Sequence, residues 1–307
     1  MIACLFPGQG SQAVGMGKAL VDQFPVCADT FAEADDALGE SLSDLIFNGP
    51  AERLTLTENT QPAILTMSVA VWRLLRERGL SPTFVAGHSL GEYSAHVAAG
   101  TLEFADAVRL VRNRGRYMQE AVPVGQGAMA AILGLDEAGV AQACLEAAQG
   151  DVVSAANLNG PGQIVIAGSA AAVARASERA KALGAKRAIP LQVSAPFHCA
   201  LMKPAEVRLA PELRAAVARD PYIPVIANVD AEPKRTAAEA IEALIRQVAS
   251  PVRWENVVQR LASEGVTRYV EVGAGKVLSG LAKKIAPGAT ILNVEGPGDL
   301  AAIEALI

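Results

Sequence analysis

Short apolar runs alternate with segments of helical periodicity along most of the chain, which is typical of an α/β protein. Apolar runs at Ile2–Phe6 and at residues 83–87 end at proline or glycine and predict buried strands. Between them, residues 61–78 repeat apolar side chains every three or four positions, which predicts an amphipathic helix that ends at Gly79. A further helix is predicted to begin at Leu90.

The middle of the chain has a different order of predicted elements, β-α-β-β-α-β. They are a strand at 128–135, a helix at 137–148, strands at 152–157 and 163–167, a helix at 171–183 and a strand at 186–193. This is the order of the ferredoxin-like split unit. Strands at 224–228 and 268–272 and a helix from Val277 then continue the first pattern. We therefore predict two domains, a larger α/β domain of residues 1–124 and 197–307 and a ferredoxin-like insert of residues 125–196.

Composition excludes several classes of protein. Hydrophobic residues make up 51% of the 307 residues and charged residues 19%, so the chain is not of the disordered class. Mean hydropathy is +0.27, but the longest nearly apolar run, 63–72, stops at Arg73. A membrane span needs about 20 such residues, so none is expected. Because no positive charge precedes Lys18, no signal peptide is expected either.

Charge and cysteine content narrow the class further. A net charge of −5 disfavours nucleic acid as the main ligand, since binding to the phosphate backbone needs a basic surface. The four cysteines form no C-x-x-C pair and have no metal-ligand spacing. In a chain of this length they predict reduced thiols, a cytoplasmic location and no metal site.

The strongest chemical signal is the sequence Gly-His-Ser-Leu-Gly at residues 87–91. It follows a predicted strand and opens a predicted helix, which is the context of a nucleophile elbow. Ser89 would then stand at a tight turn with its hydroxyl exposed, beside the N–H of Leu90. The alternative is a glycine-rich turn in which Ser89 only caps the helix.

A nucleophilic serine needs a base, and the chain has three histidines. His88 is adjacent to Ser89 and should point away across the turn, and His96 lies about 10 Å along the helix at 1.5 Å per residue. Elimination leaves His198, in the loop after the last strand of the insert. A structural role for this histidine remains the alternative.

One arginine of the predicted helix at 104–121 differs from its neighbours. Arg114 falls in a row with Ala107, Leu110, Met118 and Ala121, so its side chain should point inward. A buried guanidinium needs a carboxylate or a functional anion. Two readings stay open at this point, an internal salt bridge and a bidentate clamp on a substrate carboxylate.

Together these motifs resemble the malonyl-CoA:acyl-carrier-protein transacylase family nearly from end to end. The matching segments are residues 6–12 (Phe-Pro-Gly-Gln-Gly-Ser-Gln), 61–62, 87–95, 114–115, 118–119 and 127–130, with Asn157, Asn159, His198, Met202, Asn228, Gln247 and residues 271–273. The resemblance implies an α/β-hydrolase-like core with a ferredoxin-like insert. It also implies transfer of malonyl from coenzyme A to the phosphopantetheine thiol of acyl carrier protein, for fatty-acid biosynthesis, by a ping-pong mechanism.

The resemblance assigns roles to individual residues. Ser89 would carry the malonyl ester, His198 would be the base, and the backbone carbonyl of Gln247 would orient its ring. Backbone N–H groups of Gln9 and Leu90 would form the oxyanion hole. The substrate-binding residues would be Arg114, which holds the malonyl carboxylate, and Met118, Asn157 and Asn159. No cofactor is expected, and the family suggests a monomer.

Acyl carrier protein is acidic, so an acidic enzyme needs a local basic surface to bind it. The candidate is an insert cluster of five cations, defined as Arg175, Arg179, Lys181, Lys186 and Arg187. Lys283 and Lys284 are a second candidate. The alternative for both groups is an ordinary solvated face.

Two other functions compete with the transferase. A serine esterase or thioesterase would use the same elbow with water as acceptor, but it has no use for an inward arginine. A catalytically inactive acyl-binding or scaffold domain would tolerate loss of Ser89, His198, Arg114 and Gln9, and all four are present.

Overall fold

The computed structural model describes residues 1–306. The strands are β1 (Ile2–Phe6), β2 (Phe84–Gly87), β3 (Gly127–Leu133), β4 (Val153–Gly160), β5 (Gln163–Ser169), β6 (Arg187–Pro190), β7 (Val225–Ile226), β8 (Pro233–Lys234), β9 (Arg268–Val272) and β10 (Thr290–Val294). The helices are α1 (Lys18–Val21), α2 (Pro25–Leu38), α3 (Leu42–Asn48), α4 (Ala51–Thr55), α5 (Thr57–Glu77), α6 (Leu90–Ala98), α7 (Phe104–Glu120), α8 (Glu137–Ala148), α9 (Ala170–Ala182), α10 (Lys203–Ala215), α11 (Ala237–Gln247), α12 (Trp254–Ser263), α13 (Val277–Ile285) and α14 (Leu300–Glu304).

The larger sheet has six strands in the order β10-β9-β1-β2-β7-β8, all parallel except β8. Strand β1 is central and fully buried, because its alternate side chains enter two different cores. Cys4 and Phe6 pack on the α5 side, whereas Ala3 and Leu5 pack with Trp254 and the α12–α13 side. An uninterrupted apolar strand is the pattern that a sheet covered on both faces requires.

The smaller sheet has four antiparallel strands in the order β4-β5-β3-β6. Helices α8 and α9 belong to the same segment, and their apolar residues form a third core with these strands. The chain therefore contains a mixed α/β fold with a largely parallel sheet and a separate antiparallel sheet, as predicted at this level.

Several element boundaries differ from the sequence prediction. Helix α5 begins at Thr57, four residues before the predicted start, because its first turn is polar and shows no apolar periodicity. The strand predicted at 186–193 is only Arg187–Pro190, and beyond it Leu191 N still donates to the Met129 carbonyl of β3 at 2.9 Å. Strand β1, β9 and helix α8 have the predicted bounds.

The parallel register places the ends of β1 and β2 side by side, with Phe6 opposite Gly87. The loop after β1 and the turn after β2 therefore meet at the carboxyl edge of the sheet, where ligands bind in such folds. Within residues 1–306, no helix has the length and apolar character that a membrane crossing demands.

Candidate active site

The turn between β2 and α6 holds Ser89 in a strained conformation. Its φ is 52° and its ψ is −108°, a region that costs a non-glycine residue about 1–3 kcal/mol. The two flanking glycines allow this turn, because a Cβ atom on Gly87 would overlap the carbonyl of Gly91, and one on Gly91 would overlap the carbonyl of Phe6. The Ser89 side chain makes no capping hydrogen bond to the helix, so the simple capping role does not apply.

Asn228, after β7, fastens this turn from both sides. Its Oδ1 accepts the Ser89 N–H at 2.7 Å, and its Nδ2 donates to the Gly87 carbonyl at 2.7 Å. These bonds link positions more than 130 residues apart in sequence and hold the nucleophile elbow against its backbone strain. The Ser89 N–H is thereby occupied, which leaves the N–H of Leu90, the first residue of α6, as the next donor of the turn.

The structure brings His198 to the Ser89 hydroxyl. Ser89 Oγ lies 2.7 Å from His198 Nε2, and His198 Nδ1 lies 3.1 Å from the backbone oxygen of Gln247. The second bond requires a proton on Nδ1, so Nε2 is the lone-pair nitrogen that faces the hydroxyl. Burial, together with the positive charge of Arg114, lowers the pKa of His198 to about 3, so the imidazole is neutral at pH 7.

The other two histidines are placed elsewhere. His88 Nε2 lies 2.9 Å from Asn159 Oδ1, and its ring packs edge-on against Trp254. His96 is fully buried, and neither of its ring nitrogens has a hydrogen-bond partner in the described chain. Of the three histidines, His198 is the one with a ring nitrogen within hydrogen-bond distance of Ser89 Oγ.

His96 gives a prediction for acid stability. Burial lowers its pKa to about 3, against 6.5 when exposed, so below pH 6.5 the unfolded chain binds a proton that the folded chain refuses. The free energy of unfolding should fall with pH, by about 2 kcal/mol from this residue at pH 5. Urea denaturation of the wild type and of His96→Leu at pH 7.5 and pH 5 measures this, and the variant should lose about 2 kcal/mol less. Equal losses would contradict a neutral buried His96.

Arg114 is buried against the nucleophile. Its side chain is 1% exposed, and Nη2 donates to Ser89 Oγ at 3.1 Å and to Gln247 Oε1 at 2.9 Å. Nη1 donates to Gln61 Oε1 at 2.8 Å, and the guanidinium stands 5.4 Å from the centre of the Tyr93 ring. In residues 1–306 no carboxylate forms an ion pair with it, so the internal salt bridge considered from the sequence is not present.

Glu92 is the nearby buried acid. Burial raises its pKa to about 7, although Gln247 Nε2 donates to its Oε2 at 2.8 Å and Asn228 N at 2.9 Å. Its charge is therefore separated from Arg114 by the side-chain amide of Gln247. An anion that enters beside Ser89 would be the first direct counter-charge of the guanidinium.

A cleft of about 280 Å³ opens above these groups. Of the residues predicted for the site, all except Leu90 and Gln247 line it: Gln9, Ser89, Arg114, Met118, Asn157, Asn159 and His198. The loop after β1 and the elbow form one wall, and the antiparallel sheet forms the other through β4 and β5. Gln9 lines this cleft, and its side-chain Nε2 lies 3.4 Å from Thr57 Oγ1.

The functional side chains that sequence reasoning left without a role are Gln61, Glu92, Asn228 and the amide of Gln247. Gln61 and Asn228 belong to the matching motifs, but nothing local indicates what they contact. Glu92 had a usable signal, since it is the one carboxylate in a helix that is otherwise mostly apolar or small.

The insert cluster is partly neutralised. Arg175 pairs with Asp151, Arg179 with Glu146 and Lys181 with Glu178. The Lys186 side chain packs instead against Gly134. The N–H of Gly134 donates to the carbonyl of Gly162, in the turn between β4 and β5. Helix α13 lies beside the turn between β4 and β5, because the Ile285 side chain is next to Gly160. Lys284 Nζ on the same helix lies 3.4 Å from Oε1 of Gln163, a residue that lines the cleft.

Across the described residues, no three His, Cys, Asp or Glu side chains are grouped so that they could hold an ion.

Comparison with known proteins gives one consistent family. The model of the acyl transferase domain matches residues 4–284. A malonyl CoA-acyl carrier protein transacylase of Salmonella typhimurium is 53% identical over 301 residues, with 98% of this chain and 97% of the relative covered. One of Bacillus subtilis is 56% identical over 285 residues, covering 92% and 90%.

Solved structures that resemble this chain belong to the same kind of enzyme. An acyl carrier protein S-malonyltransferase of Vibrio cholerae superposes with a TM-score of 0.97 at 50% identity, covering 98% of this chain and 99% of the other. A malonyl-transacylase in complex with its holo type II polyketide synthase acyl carrier protein gives 0.97 at 48% identity, covering 100% and 99%.

Proposed function

Since the chain belongs to the acyl transferase family of malonyl CoA-acyl carrier protein transacylases, we propose that it moves malonyl by a ping-pong mechanism through an ester on Ser89. The reaction of the family is malonyl transfer to acyl carrier protein in fatty acid synthesis, and acyl carrier protein is the partner.

One observation supports this assignment above the others. The Ser89 hydroxyl is shared between a base, His198 Nε2 at 2.7 Å, and a buried cation, Arg114 Nη2 at 3.1 Å, which has no carboxylate partner among residues 1–306. A cation this close to the nucleophile matches an acyl group whose free carboxylate stands one carbon from the carbonyl that is attacked. Malonyl has that spacing, whereas acetyl has no carboxylate to bind.

In the proposed first half-reaction, His198 Nε2 takes the Ser89 proton while Oγ attacks the thioester carbonyl. The N–H groups of Gln9 and Leu90 bind the oxyanion, and removal of one such donor typically costs about 10²–10³ in rate. The C–S bond then breaks, and the imidazolium returns its proton to the coenzyme A thiolate. The second half-reaction runs in reverse, with His198 taking the proton of the carrier thiol, which attacks the malonyl ester and releases Ser89.

The test is intact-mass spectrometry of the protein after mixing with malonyl-CoA. A transferase should gain a malonyl adduct that persists until holo acyl carrier protein removes it. A thioesterase would release malonate and free coenzyme A continuously, with no stable adduct. A scaffold would do neither.

We propose that the chemistry needs no metal and no prosthetic group on this chain. The nucleophile, base, carboxylate clamp and oxyanion donors are all supplied by its own residues, and the phosphopantetheine arrives on the carrier protein. Asn157, Asn159 and Met118, which line the cleft, would contact the acyl group or the pantetheine arm. We also propose that the protein is a monomer and that it is cytoplasmic. The cytoplasmic location is supported by the four buried cysteines, which are all free thiols.

We further propose the division into a catalytic α/β-hydrolase-like domain, residues 1–124 and 197–307, and a ferredoxin-like insert, residues 125–196. The order β3-α8-β4-β5-α9-β6, the antiparallel sheet and the separate core of the insert support it. On this view the cleft lies at the junction of the two domains.

For docking of the carrier protein we propose Lys283 and Lys284 on α13, because Lys284 Nζ lies 3.4 Å from Oε1 of Gln163, which lines the cleft. Lys186 and Arg187 of the insert cluster, which have no salt bridge in the described residues, would add to this surface. Arg175, Arg179 and Lys181 would contribute less, because their own carboxylate partners offset their charge.

Charge reversal tests the docking surface. Lys283→Glu with Lys284→Glu should raise the KM for acyl carrier protein about five- to tenfold, because rim charges act mainly on encounter. The KM for malonyl-CoA should stay within twofold. Arg175→Glu with Arg179→Glu is the matched double variant and should have the smaller effect. Equal changes in both KM values would exclude a docking role.

A further inference from the structure

Glu92 is a buried carboxylate for which the proposed steps have no use. It lies in the first turn of α6, three residues after the nucleophile, and is fully buried. Its Oε2 accepts two hydrogen bonds, while Oε1 has no partner in the described chain. Since a buried carboxylate without a cation beside it lowers stability, its presence calls for a compensating role.

The first contact leads to the base. Gln247 Nε2 donates to Glu92 Oε2 at 2.8 Å and to the Ser89 carbonyl at 2.9 Å, and Gln247 Oε1 accepts from Arg114 at 2.9 Å. The amide is therefore held at both ends, between a cation and an acid. Its own backbone oxygen is the acceptor of the His198 ring. Fixing this side chain fixes the position of that oxygen at the end of α11.

The second contact leads to the nucleophile. Asn228 N donates to the same Glu92 oxygen at 2.9 Å, and the Asn228 side chain clamps Gly87 and Ser89. One carboxylate oxygen therefore joins the support of the elbow to the support of the base. The two supports come from loops that are distant in sequence, and Glu92 is the side chain that bonds to both.

We infer that Glu92 is a positioning residue, which aligns the His198 ring and the Ser89 turn by fixing Gln247 and Asn228. The inference rests on the proposed roles of Ser89 and His198. It concerns hydrogen-bond acceptance at Oε2, so a glutamine that presents its carbonyl oxygen there should serve in place of the glutamate.

Ring-nitrogen NMR of histidine-labelled protein tests the alignment without any substrate. The chain has three histidines, so the His198 signals can be assigned by difference with a His198→Ala variant. In the wild type, His198 should be the neutral tautomer with its proton on Nδ1. In Glu92→Ala this tautomer preference should be lost, and in Glu92→Gln it should be retained.

Kinetics give the second readout. Loss of the hydrogen bond that orients a metal-bound histidine typically costs about 10–100-fold. We expect a similar factor for this histidine, so acylation of Ser89 should slow by about 10–100-fold in Glu92→Ala. The KM for malonyl-CoA should change by less than threefold, because Gln61 also holds Arg114. Glu92→Gln should recover the rate to within about threefold. A purely structural role would lower stability without this split between kcat and KM.

Glu271 provides the matched control. It is also a fully buried glutamate, and its two oxygens accept the N–H groups of Leu278 and Ser279 at 3.0 and 2.7 Å. Glu271→Gln should leave the His198 ring signals unchanged. If Glu92→Ala does not fold, Glu92→Asp, which keeps the charge but withdraws the oxygen, is measured instead.

An unchanged tautomer and acylation rate in the folded Glu92 variants would overturn the inference, as would equal changes in the Glu271 control. Failure of the proposed function would give a different result. Malonyl would then attach to the Ser89→Ala protein, or to neither the wild type nor the variant, independently of the His198 ring signals.

Discussion

Replacement of Ser89 by alanine is expected to abolish the malonyl adduct and to lower malonyl transfer by at least about 10⁴-fold. The variant keeps the cleft, Arg114 and the imidazole, but it removes the hydroxyl oxygen that lies 2.7 Å from His198 Nε2 and would form the ester. Binding of malonyl-CoA should survive, because the carboxylate clamp remains. Intact-mass spectrometry and rapid-quench assays of the two half-reactions measure the loss.

Ser94 is the matched control for this experiment. It lies on the same helix, α6, is fully buried, and its hydroxyl has no hydrogen-bond partner in the described residues. Ser94→Ala should therefore keep both the adduct and the transfer rate. An adduct that persists in Ser89→Ala would place the nucleophile elsewhere, and with it the assignment of His198 as its base would fail.

The sequence predicts best those features of the structure that neighbouring residues in the chain determine. The bounds of β1 follow from five apolar residues and a proline, and the elbow follows from two glycines whose missing side chains make room for the Phe6 and Gly91 carbonyls. His198 was reached because only three histidines exist and two of them are constrained by their distance to Ser89. These inferences need no knowledge of the tertiary fold.

The rest of the site depends on contacts between distant segments. Gln247 and Asn228 lie 158 and 139 positions from Ser89, and no periodicity of their own elements indicates that they reach it. Their places were suggested only by the family resemblance, which gave Gln247 a backbone role and gave Asn228 none. The side-chain amide of Gln247 and the Glu92 carboxylate became visible only when the fold placed them together.

For Arg114, the helical pattern of the sequence and the contacts in the structure each supply part of the interpretation. Helical periodicity predicted that it points inward, but the choice between a salt bridge and a ligand clamp needed the identity of its neighbours. Those neighbours are Gln61, Gln247, Tyr93 and the nucleophile, all uncharged, and the nearest acid is held behind an amide. The fold therefore keeps a buried cation ready for an anion that it does not itself supply.

Replacement of Arg114 by alanine should consequently change the choice of substrate. Removing one partner of a buried ion pair costs roughly 3–5 kcal/mol, which lowers kcat/KM for malonyl-CoA by about 10² to a few times 10³. Acetyl-CoA has no carboxylate to lose, so its transfer should be retained or should improve. The measurement is the ratio of the two kcat/KM values in wild type and variant, from the rate of ester formation on Ser89.

Arg116 is the control, because it lies on the same helix but faces solvent, where it contacts Asn113 and the Tyr117 ring. Arg116→Ala should leave the malonyl-to-acetyl ratio unchanged, because Arg116 does not line the cleft and its exposed side chain does not contact the substrate site. If Arg114→Ala slowed both acyl groups equally, the guanidinium would serve the nucleophile, to which it donates at 3.1 Å, and not the substrate carboxylate. A selective loss for malonyl separates these two roles, since only the clamp distinguishes an acyl group by its far end.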